Sequence, residues 1–391
     1  MKIAAIRCLR VTGPADYGAT EERKVDLFDR VPGFGERKPP NRTPAGKLTA
    51  FYVQVDSDDG ASGLFGPVFE ETAALVRTRI APLLKGRDAS DARALWDLMY
   101  AQCWAFGSGG SRGYPMMAIS AVDLALWDLR GRAAGKPVCA LLGATPRDAI
   151  PCYLSMLGCS LEPGRAAERA KQMVERGYRA QKWFFRYGPG DGDAGLERNV
   201  ALVRTVREAV GPDVDIMLDC SMAWDVEYTK TVLARIAEYR PRWLEEPLTP
   251  DENHRLAEIR RSTAIPLATG EHEYTRWGFE QLLATGAVDV LQPDPEWCGG
   301  LTEVCRIGAL AAAAQRPVFP HGHSIQAAWN FVAAQPAALC PMLEFLWQFQ
   351  PMAQHFHRTY VEPLDGRLPA PTASGLGIEL DAAKIDARVE L

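Results

Sequence analysis

Asp219, Glu245, Glu271, Asp294, His321 and Glu344 follow one another at intervals of 26, 26, 23, 27 and 23 residues. The first five close or immediately follow short apolar runs: Val214–Leu218, Trp243–Leu244, Ile265–Ala268, Val288–Leu291 and Val318–Phe319. A strand, a helix and two short loops take about that length in a parallel α/β unit. In a (β/α) barrel, the carboxyl ends of successive strands open onto one mouth, where active sites sit. Three carboxylates in a row on that ring have little reason to stand there without a cation. Asp219, Glu245 and Glu271 are therefore the expected magnesium ligands, because hard carboxylate oxygens suit Mg²⁺, with waters and substrate completing an octahedral shell. Glu245 is preferred to Glu246, since it keeps the interval and alternate strand residues point to opposite faces. His321 with Asp294 is the expected base, because a carboxylate bonded to one imidazole nitrogen sets the tautomer and raises basicity at the other.

The elements that must hold these groups alternate from Ile150 onward. Strands are predicted at Ile150–Met156, Arg179–Phe184, Asp215–Leu218, Arg242–Glu245, Ile265–Thr269, Asp289–Gln292, Pro317–Pro320 and Met342–Phe345. Helices are predicted at 165–176, 195–210, 225–239, 252–262, 275–285 and 300–314. Such alternation implies a parallel sheet with right-handed crossovers, and eight strands in sequence favour closure into a barrel. Ahead of it, strand-like alternation at 1–11 and Leu48–Asp56 flanks Tyr17–Gly46, a stretch rich in Pro, Gly and charge with no period. A segment that long without regular structure is expected to be a lid. Helical patterns fill 69–105, and a helix is predicted from Met117 to Ala134, stopped by Gly135 and Pro137. The tail from 351 ends in a strand-like Gly377–Leu380 and is expected to return to the first domain.

Composition narrows the function. At 391 residues the chain suits a barrel of about 250 residues plus a second domain. A net charge of −5 speaks against a non-specific nucleic-acid binder, which carries a basic patch. No run of 18 apolar residues marks a transmembrane helix, and Arg7 and Arg10 break the apolar N-terminal stretch, so no membrane association is expected. Nine cysteines are scattered without CxxC spacing, which points to reduced thiols in a cytoplasmic protein rather than a disulfide framework or a zinc site.

Longer motifs add a resemblance. The helix Ala121-Val122-Asp123-Leu124-Ala125-Leu126-Trp127-Asp128-Leu129, with Gly135-Lys136-Pro137-Val138 and Leu141-Leu142-Gly143 after it, resembles the junction segment of the enolase superfamily. Leu218-Asp219, Leu244-Glu245-Glu246-Pro247, Gly270-Glu271 and Gln292-Pro293-Asp294 resemble the strand-end motifs of its mandelate racemase subgroup. Met217–Cys220, Ala268–Thr275, Trp297–Gly300 and Pro320-His321-Gly322 are similar to the L-rhamnonate dehydratase family within it. The fold expected is α/β: a modified (β/α)7β TIM-type barrel over 126–350, an α+β capping domain with a substrate lid over 1–125, and a C-terminal segment, 351–391, completing the cap.

The function expected is that of a Mg²⁺-dependent acid-sugar dehydratase, a hydro-lyase. It removes the C2 proton through a metal-stabilised enediolate and eliminates the C3 hydroxyl to give a 2-keto-3-deoxy acid. The resemblance implies His272 as proton donor to the leaving hydroxyl and Glu344 as a carboxyl near the substrate carboxylate. Lys182 reads as an electrostatic partner or rim cation, and Arg42, in the lid, as a bidentate partner for an acid substrate. One departure stands out. Racemases of the superfamily carry Lys-x-Lys on the second strand, whereas here Phe184 takes the second lysine's place. That disfavours exchange on both faces, so an epimerase, racemase or cycloisomerase is the alternative, and a catalytically silent scaffold a further one. A small-molecule acid sugar is the expected partner, and a homo-oligomer the expected assembly.

Overall fold

The computed structural model describes residues 1–18, 20–31, 46–105, 110–143 and 145–391. The alternating pattern folds into a parallel sheet of β4 (Ala149–Ser155), β5 (Ala180–Phe184), β6 (Asp215–Asp219), β7 (Trp243–Glu245), β8 (Leu267–Thr269), β9 (Val290–Leu291) and β10 (Leu343–Leu346). The strand order runs β10-β4-β5-β6-β7-β8-β9, so chain order is spatial order and β10 closes onto β4. Tyr153, Ala180, Met217, Trp243, Ala268, Val290 and Phe319 form one buried cluster, a plug of inward-facing side chains from successive strands. Helices at Pro163–Glu175, Gly192–Val210, Val226–Ile236, Leu256–Arg260, Thr275–Ala284 and Gly300–Ala313 follow the first six of these strands, each near its expected place.

Three expectations are corrected. The strand predicted at Pro317–Pro320 reduces to a single bridge, Leu291 to Val318; proline at either end has no amide hydrogen to extend the ladder. A helix at Ile325–Ala333 has no counterpart in the expected set, because eight of its nine residues are buried and it shows no polar face to set a period. Gly377–Leu380 is no strand; it contributes one bridge, His357 to Leu380. The chain does return to the cap, but through β12 (Ala387–Glu390), every residue of which is exposed and which is held by antiparallel pairing to β1 (Ile3–Gly13). Before it, β11 (Arg367–Pro369) pairs with the start of β4. The cap sheet runs β12-β1-β2-β3, with β2 at Leu48–Ser57 and β3 at Ser62–Val68.

The helix Tyr114–Ala133 serves both layers and passes residue 125 without a break. Its Asp123 accepts from the Thr302 amide at 2.9 Å and so caps the barrel helix Gly300–Ala313. Asp128 accepts from the amides of Leu64 in β3 (2.7 Å) and Leu376 in the tail (2.6 Å), and from Arg132 Nε (2.6 Å). One buried carboxylate thus ties strand, tail and helix together. Asp128→Ala is expected to cost about 3–5 kcal/mol of unfolding free energy in urea, since it strands two amides and an arginine. A loss below about 1 kcal/mol would show these bonds to be energetically idle.

Among the described residues no helix is long and apolar enough to cross a membrane. All nine cysteines are free, eight of them buried.

Candidate active site

Asp219 and Glu245, the last residues of β6 and β7, are Cα partners in the parallel ladder, and Glu271 stands two residues beyond β8. The turn that delivers Glu271 needs glycine. Gly270 has φ +136°, and a Cβ there would lie 2.8 Å from the Phe279 ring and 3.1 Å from the Gln292 amide nitrogen. After β6 and β7 the chain also turns through left-handed non-glycine residues: Ser221 (φ 48°), Met222 (φ 62°) and Glu246 (φ 41°). The Met222 amide, donating to Glu246 O at 2.7 Å, laces the two turns together. Backbone of this kind costs about 1–3 kcal/mol per residue and persists where surroundings over-determine it.

One oxygen each from Asp219, Glu245 and Glu271 lies within 4.8 Å of the others, and all three residues are buried. Lys182 meets them from β5: its Nζ is 2.5 Å from Glu245 Oε1, 2.8 Å from Glu344 Oε1 and 3.4 Å from Asp219 Oδ2. Burial opposes its charge, but the three carboxylates outweigh burial and hold its pKa well above that of a free lysine. The other oxygen of Glu245 accepts from Trp243 Nε1 (2.9 Å) and Gln292 Nε2 (2.7 Å), which fixes the carboxylate plane. Burial, only partly offset by Lys182, still pushes the Glu245 carboxyl well above the ordinary carboxylate range. The cluster is short of positive charge, and its all-oxygen donor set fits a hard divalent cation. A second grouping, Glu246, Glu271 and His272, also has ligand atoms within 4.8 Å. It fits less well, because Glu246 Oε2 already engages His272 Nδ1 at 2.8 Å.

Two imidazoles flank Glu271. His321 Nε2 is 3.6 Å from Glu271 Oε2, while its Nδ1 is 2.6 Å from Asp294 Oδ2. His272 Nδ1 is 3.6 Å from Glu271 Oε1 on the other side. Burial opposes protonation of His321, but Glu271 and the Asp294 hydrogen bond outweigh it and push the pKa up to about 10. Glu271 is the largest charge holding that proton, so neutralising Glu271 frees His321 Nε2 to accept one. Against the same opposition from burial, Glu246 and Glu271 push His272 up to about 9, which suits a proton donor. Trp297 packs between them, 5.6 Å from the His272 ring and 5.1 Å from that of His321.

The structure thus brings Asp219, Glu245, Glu271, Asp294, His321, His272, Lys182 and Glu344 to one mouth. Lys182 is not at the rim, with a side chain only 1% exposed. Glu344 is committed to protein partners, Lys182 and the Gly322 amide, which donates to Oε2 at 3.0 Å. Arg42 lies outside the described residues. Sequence reasoning missed Glu246 as the partner of His272, and a second imidazole–carboxylate pair, His323 with Glu296, at 2.8 Å. Its signal was present: Glu296 and His323 repeat the 27-residue separation of Asp294 and His321.

The enolase C-terminal domain-like family matches residues 165–384, and the mandelate racemase / muconate lactonizing enzyme N-terminal domain matches 41–143. The chain belongs to the mandelate racemase and muconate lactonizing branch of the enolase superfamily. Within this superfamily it is 36% identical to an L-rhamnonate dehydratase of Saccharopolyspora erythraea, with 97% of both chains covered. The crystal structure of a rhamnonate dehydratase from Gibberella zeae complexed with Mg superposes with a TM-score of 0.83 at 30% identity, covering 98% of this chain and 96% of the other. A 3,6-anhydro-D-galactonate cycloisomerase from Zobellia galactanivorans superposes at 0.77 with 26% identity, covering 99% and 100%. The superfamily architecture of a TIM barrel under an N-terminal cap is the one seen here.

Proposed function

We propose that this chain is a Mg²⁺-dependent dehydratase of an acid sugar, with L-rhamnonate as the first substrate to test. Its dehydratase relatives support the class. The observation that carries the chemistry is the pair of imidazoles on opposite oxygens of Glu271, each with its own carboxylate partner.

A divalent cation held by Asp219, Glu245 and Glu271 would neutralise Glu271, take the substrate carboxylate and offset the charge that grows as C2 is deprotonated. His321 Nε2 removes the C2 proton, with Asp294 holding Nδ1 and balancing the imidazolium. His272, oriented by Glu246, gives its proton to the C3 hydroxyl, which leaves as water. The resulting enol becomes the 2-keto-3-deoxy acid. Lys182 keeps the ring of carboxylates together and acts as a fixed cation. The same reading has the enzyme as a homo-oligomer. Trp104 and Trp277, 57% and 37% exposed on either side of Tyr100, offer apolar surface for it.

The test is a library of aldonic and aldaric acids assayed for 2-keto-3-deoxy acid, with L-rhamnonate, L-lyxonate and L-mannonate first. Turnover that requires Mg²⁺ and stops with a chelator is expected. Deuterium exchange at C2 without a keto acid would instead make the protein an epimerase.

A further inference from the structure

Residues 21–30 lie across the barrel mouth and are pinned to it at several points. The amides of Glu21 and Glu22 donate to Gly158 O beyond β4, at 2.9 and 3.2 Å. The Val25 amide donates to Phe185 O beyond β5 at 2.8 Å, and the Val25 side chain is 1% exposed. Arg30 pairs with Glu252, past the end of β7, at 3.0 Å. Within the segment, Asp26 caps the short turn Leu27–Arg30 by accepting from the Phe28 amide, and Arg23 grips Asp29 through both terminal nitrogens, at 2.9 and 2.5 Å. These bonds hold the backbone of residues 21–30 against three strand ends.

Lys24 sits between the pins, half-buried. Its Nζ lies 5.6 Å from the centroid of the Phe184 ring, and Lys182 Nζ lies 5.6 Å from the same ring. Phe184 is the Cα partner of Asp219, so the ring stands beside the carboxylate cluster and carries a cation from the cap as well as one from the barrel. Lys182 has three carboxylate partners, and Arg23 and Arg30 have one each. Among the described residues Lys24 makes no ion pair. The face of an aromatic ring attracts an ammonium without using its hydrogens, so the donors of Lys24 stay available.

The formal charges of the mouth leave room for one more cation. Asp219, Glu245 and Glu344 pair with Lys182, and Glu271 adds a fourth carboxylate through its grouping with Asp219 and Glu245. Adding a divalent ion still leaves the group negative before an anionic substrate arrives, and a second anion in a water-poor site is costly without a partner. His321 follows Val318, which pairs with β9, whereas Lys24 lies over β5 and β6, across the ring.

We propose that Lys24 is a substrate-binding residue: delivered over the Phe184 ring, its ammonium donates hydrogen bonds to the carboxylate and C2-oxygen end of the acid, opposite His321. This role rests on the dehydratase reading above.

Tartronate tests it, being a 2-hydroxy carboxylate with no C3 hydroxyl to eliminate. Its affinity for the Mg²⁺-saturated protein is measured by calorimetry, with Mg²⁺ affinity measured separately. Lys24→Met keeps the aliphatic stem on Phe184 and deletes the charge. It is expected to weaken tartronate about tenfold or more, the loss of a charge-assisted hydrogen bond, without weakening Mg²⁺. Lys24→Arg is expected to recover affinity to within about threefold, since the charge returns with different geometry. Equal tartronate affinity in wild type and Lys24→Met overturns the Lys24 role and leaves the dehydratase reading intact. A wild-type protein that binds Mg²⁺ but no tartronate overturns the Lys24 role as well, whereas the dehydratase reading falls only if the acid library yields no 2-keto-3-deoxy acid.

Discussion

Glu245→Gln is expected to abolish the rise in melting temperature that Mg²⁺ produces in the wild type, and to lower turnover by about 10³-fold or more. Glu245 is the centre of the carboxylate cluster. It is paired with Asp219 through the strand register, with Lys182 at 2.5 Å, and with Trp243 and Gln292 at 2.9 and 2.7 Å. The amide is nearly isosteric, so the plug of the barrel stays filled, but one of three anionic ligands is gone. A ligand that binds the folded state stabilises it according to its concentration over its dissociation constant, so the thermal shift reads the site directly. Loss of the electrophile removes about 4 kcal/mol of transition-state stabilisation, which corresponds to the drop in rate. A variant with an undiminished Mg²⁺ shift would place the ion elsewhere, and the grouping of Glu246, Glu271 and His272 is where it would have to go.

His321→Asn should behave differently. Its Mg²⁺ shift is expected to survive, because the imidazole is no ligand in the Asp219, Glu245, Glu271 set. Turnover is expected to fall by about 10²–10⁴-fold, the range of general-base assistance. The decisive reading is solvent deuterium at C2. If His321 takes that proton, the Asn variant loses C2 exchange together with elimination. His272→Asn, by contrast, retains exchange and loses elimination, because its imidazole acts at C3. Exchange that persists in His321→Asn and vanishes in His272→Asn would reverse the two assignments. The geometry allows this test to be clean, since the imidazoles have separate partners, Asp294 and Glu246, and touch different oxygens of Glu271.

Much of this site was legible from spacing. A β/α module has a length set by local backbone geometry, so carboxylates one module apart arrive at neighbouring strand ends whatever fills the helices. That is why Asp219, Glu245, Glu271, Asp294 and His321 stand out in the residue order alone. Short elements were harder. Val318 makes one bridge between two prolines, and Ala387–Glu390 forms an edge strand with no buried face. Neither leaves the apolar period by which strands are recognised. The helix Ile325–Ala333 failed the same criterion from the other side, being buried nearly all round.

What residue order determined was the identity and sequence of groups around the ring: three acids on consecutive strands, then an acid and an imidazole, then Glu344. What only tertiary structure decided was which atoms meet across it. Lys182 reaches Glu245 over 63 positions of chain and Glu344 over a strand pairing that exists only when β10 closes onto β4. Glu246 turns to His272 through a left-handed backbone, and Lys24 arrives from the cap over Phe184. Local physics spaces residues along the chain, whereas these contacts depend on closure and register, which the whole sheet settles at once.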